Sequence, residues 1–60
     1  MNINFFAEIT FLAKTEIVRN ISKLYNVLIE YIDNGQVVRY CLRPNETKIM
    51  TVDYVLSRVD

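Results

Sequence analysis

Histidine and tryptophan are absent from this sequence, and glycine, proline and cysteine occur once each. Each shortage removes a class of chemistry. Without histidine there is no imidazole base for a Ser or Cys nucleophile and no HExxH-type metal site. A single thiol, Cys41, excludes an internal disulfide, and without His partners it leaves no ligand set for structural zinc. The one glycine, Gly35, cannot furnish a phosphate-cradling loop. Net charge is also missing: seven basic and seven acidic groups cancel, whereas dedicated nucleic-acid binders concentrate positive charge. No cofactor, no metal, no catalytic residue and no small-molecule substrate is therefore expected, and the chain reads as a non-enzyme.

Long apolar runs are lacking too. The longest uncharged stretch is residues 1–7, which has no basic flank and is closed by Glu8. Neither a secretory leader nor a membrane span is expected, and the expected location is the cytoplasm. The motifs Asn20-Ile21-Ser22 and Asn45-Glu46-Thr47 match the glycosylation sequon and are read as chance.

What is present is apolar and β-branched. Apolar residues make up 52% of the 60 residues, far more than a disordered chain carries. Ile and Val occur seven times each and Thr four times, a mixture that suits pleated sheet. One domain of this size buries only about 60% of the surface its unfolded chain exposes, and such domains commonly need a staple. With disulfide and metal excluded, association with another subunit is the staple that remains, and a homodimer is expected.

Residues Ile3 to Ala13 alternate with period two, as a half-buried strand does. From Thr15 the period changes. Ile17, Val18, Ile21, Leu24, Tyr25 and Leu28 form one helical stripe, Thr15 can cap it, and Glu16 suits its first turn. A helix is expected over 16–25, packed on a sheet through Ile17, Ile21, Leu24 and Tyr25. Asn34-Gly35 between two apolar runs predicts a type I′ hairpin spanning Val27 to Arg43. Pairing outward from Asp33 and Gln36 sets Tyr31 opposite Val38, Ile29 opposite Tyr40, Val27 opposite Leu42, and Glu30 opposite Arg39. Pro44-Asn45-Glu46 closes the second strand, and Lys48–Met50 is an optional further strand. Val52, Val55, Leu56 and Val59 then fit a short helix over 52–59, with an extended reading of 49–56 as the competitor.

The expected class is accordingly α+β, a single domain over residues 1–60 in the order β-α-β-β-α with an Asn-Gly hairpin. The alternative is an SH3-like small β-barrel in which 16–25 is extended. Two candidate surfaces follow. Phe6, Leu12, Leu28, Ile32, Val37 and Cys41 fall on second strand faces and are candidates for self-association, although Cys41 taken alone reads as a buried small hydrophobe. Arg19, Lys23, Arg39 and Arg43 are candidates for contact with a partner or with nucleic acid, the less favoured ligand. Tyr31 and Tyr40 lie on the apolar hairpin face and read as core, not as base-stacking platforms.

The function expected is a non-enzymatic protein–protein interaction module that self-associates, with a small nucleic-acid-binding regulator as the alternative. In its shortness, its lack of a catalytic set and its Asn-, Ile- and Tyr-rich composition, the chain resembles small accessory proteins of phages and mobile elements. That resemblance implies an inhibitor or adaptor binding a host protein in the host cytoplasm.

Overall fold

The Asn34-Gly35 turn organises half of the molecule. Both residues have positive φ, 51° and 77°, as a type I′ turn requires. It joins Asn26–Asp33 to Gln36–Leu42 with Asp33 opposite Gln36, Glu30 opposite Arg39 and Val27 opposite Leu42, the register expected from the residue pattern. The computed structural model describes residues 2–3 and 6–59.

In chain order the strands are β1 (Asn2–Ile3), β2 (Ala7–Leu12), β3 (Thr15–Asn20), β4 (Asn26–Asp33), β5 (Gln36–Leu42), β6 (Thr47–Met50) and β7 (Tyr54–Val59). They form two antiparallel sheets, β1-β2-β3-β6 and β5-β4-β7. The chain passes between the sheets three times, at 21–25, 43–46 and 51–53. Inward-facing Ala7, Val18 and Met50 of the first sheet meet Val27, Ile29 and Leu42 of the second in one buried cluster. Phe6, Ile9, Tyr31, Tyr54 and Leu56 pack around it. Each buried Val, Leu, Ile or Met contributes about 1.5–3 kcal/mol of transfer free energy, so this small set carries the fold.

The α+β expectation is corrected, because the described residues contain no helix. Residues 16–20 belong to β3, where Glu16, Val18 and Asn20 turn inward and Ile17 and Arg19 outward. Leu24, on the supposed packing stripe, is 82% exposed. Polar side chains decide the matter: Asn20 Oδ1 accepts from the Ser22 amide, and Ser22 Oγ accepts from the Leu24 and Tyr25 amides. These local bonds replace the helical ladder with two successive turns. The sheet face bearing Val27, Ile29 and Leu42 is covered by the other sheet and not by a helix.

The expected helix over 52–59 is β7, which pairs along β4 with Tyr31 opposite Tyr54, Ile29 opposite Leu56 and Glu30 opposite Val55. β4 is central in its sheet, and its second edge needs a ladder partner that a helix cannot supply. The single strand expected over 3–13 is two strands, since Ile3 pairs back on Glu8. Its last residue, Ala13, lies instead in the turn between β2 and β3, with φ of 57°. The extended character of β3 agrees with the all-β alternative, the strands being divided between two sheets. The optional strand at 48–50 is present as β6.

Candidate interaction surface

Strand alternation sends one residue in two of β4, β5 and β7 away from the core. On β4 these are Asn26, Leu28, Glu30 and Ile32. On β5 they are Val37, Arg39 and Cys41, and on β7 they are Val55, Ser57 and Val59. Ile32, Val37 and Val55 are 59%, 55% and 65% exposed, and they are close neighbours on three adjacent strands. A shallow depression of about 400 Å³ lies among them, lined also by Glu30, Asp53 and Tyr54. Exposed β-branched side chains grouped on one sheet face mark an interaction surface more than isolated apolar residues do.

One ion pair crosses this face. Arg39 Nε donates to Glu30 Oε2 at 3.1 Å. Half-exposed pairs of this kind contribute little to stability, about 0–1 kcal/mol. What the pair does contribute is one positive and one negative group side by side on a face whose other outward residues are uncharged.

Four of the six self-association candidates, Leu28, Ile32, Val37 and Cys41, share this face. Leu12 is exposed but sits at the end of β2 in the other sheet. Phe6 is partly buried against the core and belongs to the interior. Cys41 is exposed, contrary to the buried position expected for it, because no helix covers the outer face of the hairpin. Val55 and Val59 are members of the surface that the helical reading of 52–59 concealed. Read as a strand, Tyr54 to Val59 alternates, and that period sends both valines outward.

The basic candidates are not assembled. Arg19 projects from the outer side of the four-stranded sheet opposite Glu8, and Lys23 is exposed in the 21–25 crossing. Arg39 lies on the outer side of the other sheet, bound to Glu30, and Arg43 follows β5 in an exposed turn. The aromatic rings are engaged as well. Tyr31 packs on the core, the Lys48 ammonium lies 4.5 Å from the Tyr40 ring centroid, and the Arg58 guanidinium lies 4.4 Å from that of Tyr25. Tyr40 also hydrogen-bonds Glu46 through its hydroxyl, and that bond raises its pKa above the ordinary phenol value.

Among the described residues no cluster of three or more His, Cys, Asp or Glu could hold a metal ion. Of the two sequon asparagines, Asn20 is fully buried with its Nδ2 hydrogens committed to the Leu42 and Tyr25 carbonyls, so its amide is not open to modification in the folded state. No helix among the described residues is long and apolar enough to cross a membrane. No protein-family model, curated protein or solved structure matches the chain.

Proposed function

We propose that this chain is a non-enzymatic protein-interaction module, an inhibitor or adaptor, whose working surface is the outer face of the β5-β4-β7 sheet. The observation that carries the reading is the grouping of Ile32, Val37 and Val55, each more than half exposed, on neighbouring strands. A sheet face open to water ordinarily alternates to polar residues, and this one does so only at Asn26, Glu30, Arg39 and Ser57. Burying the three β-branched side chains, which are 55–65% exposed, supplies roughly half of the 1.5–3 kcal/mol that full burial of each is worth, before association costs. The nucleic-acid alternative loses support from the dispersal of Arg19, Lys23, Arg39 and Arg43 and from the engagement of the tyrosines.

The test compares cross-linked capture from the source cell by the wild type and by a doubly substituted chain, Ile32→Asp with Val55→Asp. Both sites are exposed, so the variant is expected to fold, which circular dichroism checks. Loss of the captured species, a second copy of the chain included, supports the reading. An identical captured set from both proteins would overturn it.

A further inference from the structure

We infer that the outer face of β4 and β5 takes a second copy of this chain, related by a two-fold axis that runs between the two strands and parallel to them. The inference rests on the interaction-surface reading above, of which it engages Ile32 and Val37 and leaves Val55 of β7 outside the overlap, and it adds the occupant and the geometry.

A closed dimer of identical chains places one patch upon itself. The ion pair then restricts where the axis can lie. An axis along β4 sets Glu30 over Glu30 of the second copy, and an axis along β5 sets Arg39 over Arg39. An axis crossing the strands at the level of the pair does both. Each brings like charges together on a face being taken out of water, which opposes association.

An axis between the strands and parallel to them has the opposite result. It carries every outward residue onto the position of its own ladder partner. The register opposes Ile32 to Val37, Glu30 to Arg39 and Leu28 to Cys41. In the dimer Glu30 of each copy therefore lies over Arg39 of the other. Ile32 lies over Val37, and Leu28 over Cys41. Within one chain Arg39 uses only Nε toward Glu30, which leaves its terminal NH2 groups to reach the second carboxylate. Two carboxylates and two guanidiniums then close a neutral ring, surrounded by apolar contacts. The strands of the two copies run aligned, as in packed sheets whose strand directions differ by about 30° or less.

The same geometry excludes a covalent link. Facing sheets lie about 10 Å apart and the two Cys41 positions are offset by one strand spacing of about 4.8 Å. Their Cα atoms are then about 11 Å apart, beyond the roughly 7 Å that a disulfide spans. The dimer is indifferent to reductant.

Sedimentation equilibrium on the full chain tests this with two charge reversals, Glu30→Arg and Arg39→Glu. The wild type is expected to be a dimer, with or without reductant. Each single variant presents two like charges to two like charges, and its dimer dissociation constant is expected to rise on the order of 100-fold. Mixed in equal amounts, the two variants are expected to regain a dimer. The guanidinium introduced at position 30 of one chain then faces the carboxylate introduced at position 39 of the other. A folded Val37→Glu chain, altered at the exposed hairpin end, is also expected to be monomeric, and it serves if either charge reversal fails to fold. A monomeric wild type, single variants that still dimerise, or a mixture that stays monomeric overturns the inference. A monomeric wild type whose captured protein is lost on Ile32→Asp with Val55→Asp overturns only the dimer and leaves the interaction-surface reading standing.

Discussion

The side-chain amide of Asn20, at the end of β3, donates to the carbonyl of Leu42, at the end of β5, over 2.8 Å. The bond joins one sheet to the other beside two of the three crossings. The same Nδ2 donates to the Tyr25 carbonyl at 2.9 Å, and Oδ1 accepts from the Ser22 amide. The backbone of Asn20 extends the sheet ladder, donating to the Glu46 carbonyl and accepting from the Asn45 amide. This fully buried polar residue satisfies carbonyls just before β4 and at the end of β5, which the hairpin register sets side by side, and ties both to β3.

Replacing Asn20 is therefore expected to be among the most damaging single changes. Asn20→Ala leaves two carbonyls and one amide without their partners, at about 1–3 kcal/mol for each that stays dry. A total loss of about 3 kcal/mol is expected, a large part of the stability of a domain this small. Asn20→Asp keeps the shape but turns a carboxylate oxygen toward the two carbonyls. Urea denaturation should find it less stable than Asn20→Ala at neutral pH and partly recovered in acid, where a protonated carboxyl can donate again. Equal stability of the Asp variant at both pH values would count against this account.

Two turns make opposite predictions from one cause. Ala13 has φ of 57° between β2 and β3, a region in which a Cβ costs about 1–2 kcal/mol. Ala13→Gly removes that strain and adds about 0.4–1 kcal/mol of unfolded-state freedom, so a net stabilisation of about 0.5 kcal/mol is expected. Gly35 has φ of 77°, and a Cβ built there meets nothing within 4 Å. Gly35→Ala should then lose about 1–2 kcal/mol through backbone strain and regain about 0.4–1 kcal/mol of unfolded-state freedom, a net loss of about 0.5 kcal/mol, with no change in the pairing of β4 and β5. Thermal midpoints of the two variants, moving in opposite directions, check both.

The turn from Arg43 to Glu46 carries its own titration. Pro44 takes the first central position and Asn45, with φ of 65°, the second, while the Glu46 amide donates to the Arg43 carbonyl at 3.0 Å. The Glu46 carboxylate accepts from the Tyr40 hydroxyl and from the Arg43 amide, and these bonds, the Tyr40 bond first, hold its pKa below the usual carboxylate value. A pKa depressed on folding stabilises the native state above the unfolded value and loses that contribution as pH falls through the folded one. Glu46→Gln is expected to flatten the acid limb of the stability curve. An acid limb unchanged in the variant would show that the turn does not draw on the carboxylate. The carboxylate lies at the surface, so the effect should be small and should shrink with added salt.

The Asn-Gly hairpin was legible in the sequence to the residue, because two positive-φ positions and a period of two leave one register. Its outward apolar set, Leu28, Ile32, Val37 and Cys41, followed from that register without any knowledge of the second sheet. Segments 16–25 and 52–59 read as helices because their apolar residues recur at helical spacing and do not alternate: Ile17 and Val18 face opposite sides of β3, and Val55 and Leu56 opposite sides of β7. The choice was then made by long-range pairing, with β2 and β6 for β3 and with β4 for β7. The β-branched content of both segments and the polar Asn20 and Ser22 inside the first already spoke against helix. Val55 was lost to the candidate surface for the same reason, since its outward position exists only in a strand. The role of Asn20 was legible only in part, because its bonds to the Ser22 amide and the Tyr25 carbonyl are local whereas the one to the Leu42 carbonyl is made with a strand end that the fold brings to it.

A second tie joins the sheets at the other end of β3, and it should be visible in alkali. The Tyr54 hydroxyl of β7 donates to Glu16 Oε1 of β3 at 2.9 Å, next to the 51–53 crossing. Burial, followed by this bond and the charge of Glu16, pushes the Tyr54 phenol up to about 12. A folded pKa above the unfolded value of about 10 means that the native state holds the proton more tightly. The stabilisation is complete below pH 10 and is lost as pH rises through the folded value, so the urea midpoint should fall between about pH 10 and 12. Tyr54→Phe removes both the bond and the titration. It should lower stability at neutral pH by about 0.5–1.5 kcal/mol, the net worth of one hydrogen bond, and should weaken the alkaline decline. Glu16→Gln keeps an acceptor but removes the charge, and the phenol pKa read by tyrosinate absorbance should fall in that variant. If the urea midpoints of wild type and Tyr54→Phe decline in parallel from pH 10 to 12, the loss arises elsewhere and the tie does not brace the sheets.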